Sequence, residues 1–402
     1  MVAVPEMNPA DPSDILRKLT ALPHRGVGTE HVESAAALLK ETLEGIGAAV
    51  ESQPFLCPKT YLPFLWWLVG GILFGLLLAG YWPWPSFAAA AVFALMGVAH
   101  FDWRATPLPY LVPKVRAENI IAKYVPGPKN KDQKTKKIVL MAHYDSAPIS
   151  FIYRSSLVSD FRRSLLISLA LMLLAPVVIL IEILGFWPAA LAWLRYALAA
   201  YFVIQLILTS MDYFRYGFTN GAADNASGVA AAIATAERLW QTPAGGWEVE
   251  LVLTSGEEVA MVGAREYIRK NWDILSKDAA YVLNFDNVGS GKIKIITETG
   301  SISPVHYDNL LVKAARSVAE ENPRYADITT ANWHTGDFDT IWFERAGIPS
   351  LTLSSQDENG LIAHLHRPED TIENVDLDLL PHATDFAVAI LESIRRQSPP
   401  AV

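Results

Sequence analysis

The run KKIVLMAHYDS at residues 136–146 decides the fold class. From Ile138 to Ala142 it is apolar without a break, the pattern of a central strand buried on both faces, and it ends on His143 and Asp145. Working outward, WEVELVLTS (247–255), AAYVLNFDN (279–287) and IPSLTLSS (348–355) read as further strands, and strands are also expected at 48–56, in NIIAKYVPG (119–127) and, a short one, in IKIIT (293–297). The charged run KNKDQKTKK (129–137), between NIIAKYVPG and KKIVLMAHY, reads as a solvated hairpin turn. Helical patterns fall at 11–22, 30–47, 226–240, 260–270, 304–321 and 376–396; in the second, Val32, Ala35, Ala36, Leu39 and Leu43 share one face behind Thr29 as N-cap. Strands alternating with helices predict an α/β sheet covered on both faces, with ligands gathered at the carboxyl ends of its strands.

Composition adds a second theme. The chain has 402 residues, is 51% hydrophobic and carries a formal net charge of −9, with a mean hydropathy of +0.22. Nucleic acid is excluded as a partner, because phosphate binding needs a clustered basic surface. Cys57 is the single cysteine, so no intrachain disulfide can form and a metal would have to use His, Asp and Glu. The first residues lack a basic segment followed by an apolar core, so no cleaved leader is expected.

Four apolar spans, 61–81, 86–101, 164–184 and 189–211, form two helical hairpins (61–102 and 163–212), each joined through a Trp-Pro turn. A bilayer core of about 30 Å needs roughly 20 apolar residues in a helix, which three spans meet; 86–101 is the marginal one. The expectation is a multi-pass integral membrane protein with four transmembrane helices. Hairpins return the chain to the side it left. Residues 1–60, 103–162 and 213–402 therefore share one compartment and are expected to form one discontinuous domain. Lys59, Arg104, Lys114, Arg116, Arg154, Arg162, Arg163 and Arg215 lie on that side, whereas Arg195 is the one basic residue at the turns, so the positive-inside rule places the domain in the cytoplasm. Glu182 and Arg195 sit near one turn and are expected to snorkel or pair. With so few polar residues in the spans, a transporter site is not expected.

Five segments carry candidate chemistry: MAHYDS (141–146), NGAADNASGVAAA (220–232), TSGEEVAMVGA (254–264), NFDNVG (284–289) and HRPEDT (366–371). On a strand, i and i+2 face the same way, so Asp145 can approach the His143 ring from behind and fix the tautomer of a ligating imidazole. Asp224 lies among small residues where a helix begins, a place that equally suits an ordinary N-cap. In Glu257–Glu258 two adjacent carboxylates point different ways, so one can hold a metal while its neighbour reaches water; an acidic first turn is the plainer reading. Asp286 follows a buried strand and needs a compensating cation or hydrogen bonds. His366 shares a loop with His364, which offers a second imidazole. A single metal centre makes sense of all these groups together.

These segments, in this order, resemble metallopeptidase family 28, the co-catalytic two-zinc aminopeptidases, whose relatives include glutamate carboxypeptidase, glutaminyl cyclase and the transferrin receptor. The resemblance covers the whole water-soluble part and implies a three-layer α/β/α zinc-peptidase domain with a mixed central sheet. Position by position it implies two Zn2+ ions bridged by Asp224, with His143 and Asp286 completing one and Glu258 and His366 the other. Glu257 would be the general base and Asp145 the residue orienting His143. His366 is preferred to His364 because the family spacing puts an aspartate four residues on, which Asp370 satisfies. In FDTIWFERAGIP (338–349) Asp339 matches, but Thr340 stands where histidine is common. In soluble relatives the link from the histidine segment to the bridging aspartate is short, whereas residues 146–223 intervene here. The implied activity is removal of N-terminal residues from peptides, including membrane-derived ones, at the bilayer surface. Rival readings are a one-zinc glutaminyl cyclase and an inactive peptidase-fold receptor or scaffold. A homodimer through the spans is compatible with the sequence.

Overall fold

The structure is a computed structural model that describes residues 11–124, 135–154, 156–275 and 280–397. Asp11 opens the first helix by accepting a hydrogen bond from the Ser13 amide, with Pro12 at the first helical position where its missing N–H costs nothing. Along the chain follow α1 (Pro12–Thr20), α2 (Glu30–Gly45), β1 (Ala49–Pro58), α3 (Leu62–Leu78), α4 (Pro83–Phe101), the single turn α5 (Leu108–Leu111), β2 (Lys114–Lys123) and β3 (Lys136–His143). Next come α6 (Phe161–Ile183), α7 (Pro188–Tyr216), α8 (Gly228–Gln241), β4 (Trp247–Thr254), α9 (Val262–Asn271), β5 (Ala280–Phe285), β6 (Lys292–Thr299) and β7 (Val305–His306). The chain ends with α10 (Leu310–Glu321), β8 (Thr329–Asn332), α11 (Thr340–Arg345), β9 (Ser350–Gln356) and α12 (Leu379–Gln397).

Among the described residues the strands form one mixed sheet in the order β1-β2-β4-β3-β5-β9-β6-β7, with β8 beside β6. Its centre, β4-β3-β5-β9, is parallel. Both margins are antiparallel apart from β8, which runs parallel to β6. Every residue of β3 from Lys137 onward is buried, as its unbroken apolar run requires. One face is covered by α1, α2, α8, α10 and α12, the other by α9 and α11. Leu16, Leu39, Leu140, Leu251 and Phe386 are fully buried in the larger core. Cutting any of these back to alanine should cost about 2–5 kcal/mol.

The predicted hairpin around the charged run does not form. β2 pairs with β1 and β4, while β3 pairs with β4 and β5, so β4 lies between the two strands that were expected to be partners. A continuous apolar β3 needs a neighbour on each side, and β4, with Val249, Leu251, Val252 and Leu253 buried, supplies one in parallel register. Residues 129–134 of the run itself lie outside the described residues. Other boundaries shift by local chemistry. The helix expected from 304 starts at Leu310, because Val305 and His306 pair with β6 and Asn309 caps the helix by accepting from the Leu311 and Val312 amides. The helix expected from 260 starts at Val262, because Ala260 and Met261 take left-handed backbone conformations. β8 and α11 were not anticipated; their short, mixed sequences carry no clear period.

The apolar hairpins α3–α4 and α6–α7 pack into a separate core with Phe64, Leu68, Ile72, Leu169, Met172 and Phe202 inside. Three of these helices, Pro83–Phe101, Val158–Ile183 with its lead-in turn, and Pro188–Tyr216, are long and apolar enough to cross a membrane. The short one is Leu62–Leu78, not the second span as the sequence suggested. Pro83 initiates α4 three residues earlier than the apolar pattern does, which lengthens it to 19 residues. Around the bundle Phe74, Leu77, Val92, Leu95, Val177 and Ile207 are exposed, and Trp82, Trp84, Phe186 and Trp187 stand out at the turn end. Arg195 pairs with Glu182 at 2.9 Å and donates to the Leu76 carbonyl, tying one hairpin to the other.

Candidate active site

Strand ends set the frame. In the parallel register His143 is opposite Thr254, so the last residue of β3 and the Gly256–Glu257–Glu258 turn after β4 emerge side by side, with Asp286 just beyond β5 on the other flank. Glu257 and Asp145 are also joined directly, the Glu257 amide donating to Asp145 Oδ1 at 3.3 Å.

Asp224 comes from the far end of α7, in the tight turn Ala222–Ser227, where its peptide bond to Asn225 is cis. The small residues around it have a spatial reason. Gly221 has φ +74°, and a Cβ there would meet the Asp224 carbonyl oxygen at 2.6 Å; a Cβ at Gly228 would meet Asn225 Oδ1 at 2.1 Å. Asn225 in turn accepts from the Gly228 and Asn287 amides and donates to the Phe285 carbonyl, stitching this turn to the end of β5. Asp370 holds the other side by accepting from the amides of Ala223 (2.7 Å) and Asp224 (3.2 Å).

The groups converge on Asp224. Its Oδ1 lies 3.2 Å from His143 Nε2 and its Oδ2 3.3 Å from His366 Nε2. His143 Nε2 is also 3.6 Å from Asp286 Oδ2 and 4.0 Å from Glu257 Oε2, and His366 Nε2 is 3.0 Å from Glu258 Oε2. All of the residues singled out from the sequence are thus brought together: His143, Asp145, Asp224, Glu257, Glu258, Asp286 and His366. His364, by contrast, has its Nδ1 3.4 Å from the Arg367 guanidinium and is not among the groups that meet at Asp224. His143 Nδ1 is 3.2 Å from the backbone carbonyl of Asp145 and 3.7 Å from its Oδ1. The main chain of Asp145 therefore makes the closer contact with the ring, while its carboxylate orients the Glu257 turn.

Five carboxylates and two imidazoles within one buried site repel one another unless cations compensate them. Burial, reinforced by Asp224, pushes Glu258 up to about 7, and burial with Asp224 does the same for Asp286. Burial also lifts Glu257 well above the carboxylate range, against the pull of His143. Burial alone would raise Asp224, but the two imidazoles it touches hold it well below its ordinary value. His143 Nε2, Glu258 Oε1 and Asp286 Oδ2 are buried without a hydrogen-bond partner among the described residues. Ligand atoms of His143, Asp224 and Glu258 lie within 4.8 Å of one another. Oxygen and imidazole donors without thiolate suit zinc or a harder divalent ion. The site fits a metal.

Several supporting residues escaped the sequence reading. Arg25, fully buried, donates to the carbonyls of Tyr144, Asn220 and Gly221, clamping the exit of β3 to the Asp224 turn. It stands in an unpatterned loop, and no spacing flags it. The Tyr153 ring packs on His366 with centroids 4.2 Å apart. Asn287 Nδ2 donates to Asp286 Oδ1 at 2.8 Å. Asp339 accepts from Thr254 Oγ1 at 2.6 Å, and the buried Thr340 hydroxyl bonds to the hydroxyls of Thr352 and Tyr307.

Comparison with known proteins agrees with this geometry. Residues 208–391 match the model of Peptidase family M28. Aminopeptidase YwaD of Bacillus subtilis is 23% identical over 204 residues, covering 49% of this chain and 43% of that protein. The chain spans less than half the length of the curated relatives it matches. Among solved structures, a leucine aminopeptidase precursor from Bacteroides thetaiotaomicron superposes with a TM-score of 0.57 at 14% identity, covering 97% of this chain and 98% of that one. A glutaminyl cyclase from the same organism gives 0.56 at 14% identity, covering 96% and 98%. At such identities the likeness is one of fold: a mixed central sheet between helical layers.

Proposed function

With the chain's membership of peptidase family M28 as premise, we propose that it is a membrane-anchored zinc exopeptidase that removes N-terminal residues from peptides. The observation that carries this reading is the placement of Asp224, one carboxylate oxygen toward His143 and the other toward His366. A carboxylate so placed would suit two ions rather than one, and His143 and Asp286 would then hold the first and Glu258 and His366 the second. When bound, such ions supply Lewis acidity and favour hydroxide over water near neutral pH. Glu257, raised by burial, takes the proton of the attacking water and returns it to the leaving amine. Asp145 positions Glu257 through its amide and His143 through the adjoining backbone.

Residues 1–60, 103–162 and 213–402 make up the peptidase domain in this reading, and all four apolar helices cross the bilayer. α3, with 17 residues, spans with help from local thinning or the aromatic residues at its ends. The basic residues flanking the domain side of the helices favour a cytoplasmic domain. The substrates are peptides at or in the membrane, and pairing of two copies through the bundle would be compatible with its apolar surface.

The test is metal analysis of the purified full chain together with hydrolysis of peptides having free or blocked N-termini. Two metal equivalents and release of the first residue from free peptides alone are expected. One equivalent with cyclisation of N-terminal glutamine would instead establish a cyclase, and full metal loading without turnover on any peptide would leave a scaffold.

A further inference from the structure

The carboxylate cluster does not open directly to water alone. Glu257, Glu258 and Asp224 line one wall of a cavity of about 570 Å³ that runs on between α3, α6 and α7. This size is that of a pocket for a small ligand or a few residues of peptide. Deep in the bundle its walls are Leu65 and Val69 of α3, Leu165 and Ser168 of α6, and Tyr201 and Gln205 of α7. Ser168 lies seven residues beyond Phe161, where α6 begins, and Gln205 lies seven residues before Asp212, which pairs with Arg154 at 3.2 Å beside the domain. At 1.5 Å per residue the floor is on the order of 10 Å into the helical bundle. Outside the cluster Asp337 is the one charged side chain lining the cavity among the described residues.

The floor is apolar except for one polar group of three. Gln205 Nε2 donates to Ser168 Oγ at 2.9 Å, and Ser168 Oγ is 2.8 Å from the Tyr201 hydroxyl. Ser168 also donates to the Ser164 carbonyl, so Tyr201 is the donor in that pair. This leaves the amide oxygen of Gln205 without a hydrogen bond among the described residues. Gln205 is half-buried and lines the cavity, so this acceptor is open to an occupant, and an extended peptide in apolar surroundings brings N–H groups that need one. A hydrocarbon chain has nothing to offer it.

Resting on the peptidase reading above, we propose that this annex binds two or three consecutive apolar, uncharged residues adjoining the scissile bond. At about 3.3 Å per extended residue, three fill its depth. Gln205 is the positioning residue that accepts a substrate backbone N–H. The substrates are therefore apolar peptide remnants that reach the carboxylates from the bilayer, and soluble charged peptides are poor ones.

The test uses the full chain in lipid nanodiscs. A Leu-rich peptide with a free N-terminus and diazirine-bearing leucines is photolysed on metal-loaded Glu257→Gln protein, and adducts are mapped by mass spectrometry. Saturable adducts on Leu65, Val69, Leu165 or neighbours of Gln205, displaced by unlabelled peptide and not by excess oleate, are expected. Adducts confined to the water-soluble domain, or displaced by oleate as well as by peptide, overturn the proposal. In parallel, kcat/KM is measured for the Leu-rich peptide and for Ala-Gly-Ser. Ser168→Phe, which fills the floor, and Gln205→Leu, which keeps its shape, should each lower the ratio of the two at least tenfold. An unchanged ratio in both variants overturns it. Annex adducts without hydrolysis of any peptide by the wild-type chain would sink the peptidase reading and leave the binding site standing.

Discussion

Asp370 holds Asp224 by its backbone: the carboxylate of one accepts the amide N–H of the other at 3.2 Å and that of Ala223 at 2.7 Å. Burial, with Asp224 nearby, pushes Asp370 up to about 7, although the two amides and Arg25 favour its charged form. Replacing it by alanine frees the turn that aims both oxygens of Asp224 at the imidazoles. Groups that orient metal ligands are typically worth 10–100-fold in affinity. Asp370→Ala should weaken zinc binding by about that factor in a competition titration against a chromophoric chelator, whereas Asp370→Asn, which keeps one acceptor, should lose less. Equal affinity in all three proteins would show that the turn is held by Asn225 and Arg25 without it.

Glu257 is the carboxylate of its pair that does not touch His366; Glu258 does, at 3.0 Å. In the proposed mechanism this difference suits the first to proton transfer and the second to metal holding. Glu257→Gln should keep the full metal content and lose about 10²–10⁴ in turnover, the usual size of a general-base contribution. Glu258→Gln should lose metal as well. A Glu257→Gln protein with undiminished hydrolysis would take that residue out of the mechanism.

Removing the metal should destabilise the fold and not merely stop the reaction. Without cations the site leaves five carboxylates crowded in low dielectric, three of them pushed upward by burial and by one another. A ligand at 100 times its dissociation constant stabilises by about 2.7 kcal/mol. Treatment with a strong chelator should therefore lower the melting temperature of the detergent-solubilised protein, and added zinc should restore it. A melting curve indifferent to chelation would mean that the cluster is neutralised by protons alone.

Much of this was legible from residues 136–146 outward, because the apolar run of β3 is long enough to overrule local propensity and its end fixes where chemistry can sit. The carboxylates were visible for a related reason: acids at the ends of buried strands have few innocent explanations. Strand order was not. Whether β2 turns back onto β3 or leaves room for β4 depends on pairing between segments more than a hundred residues apart, which no local pattern records. Arg25 was invisible because a buried arginine in a loop has the same sequence appearance as a solvated one. The length of α4 was misjudged because hydropathy ignores Pro83 and Trp84, which belong to the helix though not to its apolar stretch.

Far from the carboxylates, Glu250 on β4 supplies the pH dependence that can be read apart from catalysis. It is buried between Lys137 (3.0 Å) and Lys123 (2.7 Å) and accepts from the Tyr267 hydroxyl. Burial opposes its charge, but the two lysines and the hydroxyl outweigh burial and lower its pKa below the ordinary value. For an acid whose folded value is depressed, the stabilisation is fully present above the unfolded value, about 4.3, and is lost as pH falls through the folded one. Glu250→Gln should therefore flatten the acid limb of the stability profile below that point, measured by urea unfolding in detergent. At pH 7 it should cost about 1–3 kcal/mol, since the buried Lys137 loses its nearer carboxylate and keeps only Glu248, 3.6 Å away. Zinc content per folded molecule should stay the same, because the sheet's carboxyl edge lies at the opposite end of β3 from Lys137. An acid limb as steep in the variant as in the wild type would place the titrating groups elsewhere.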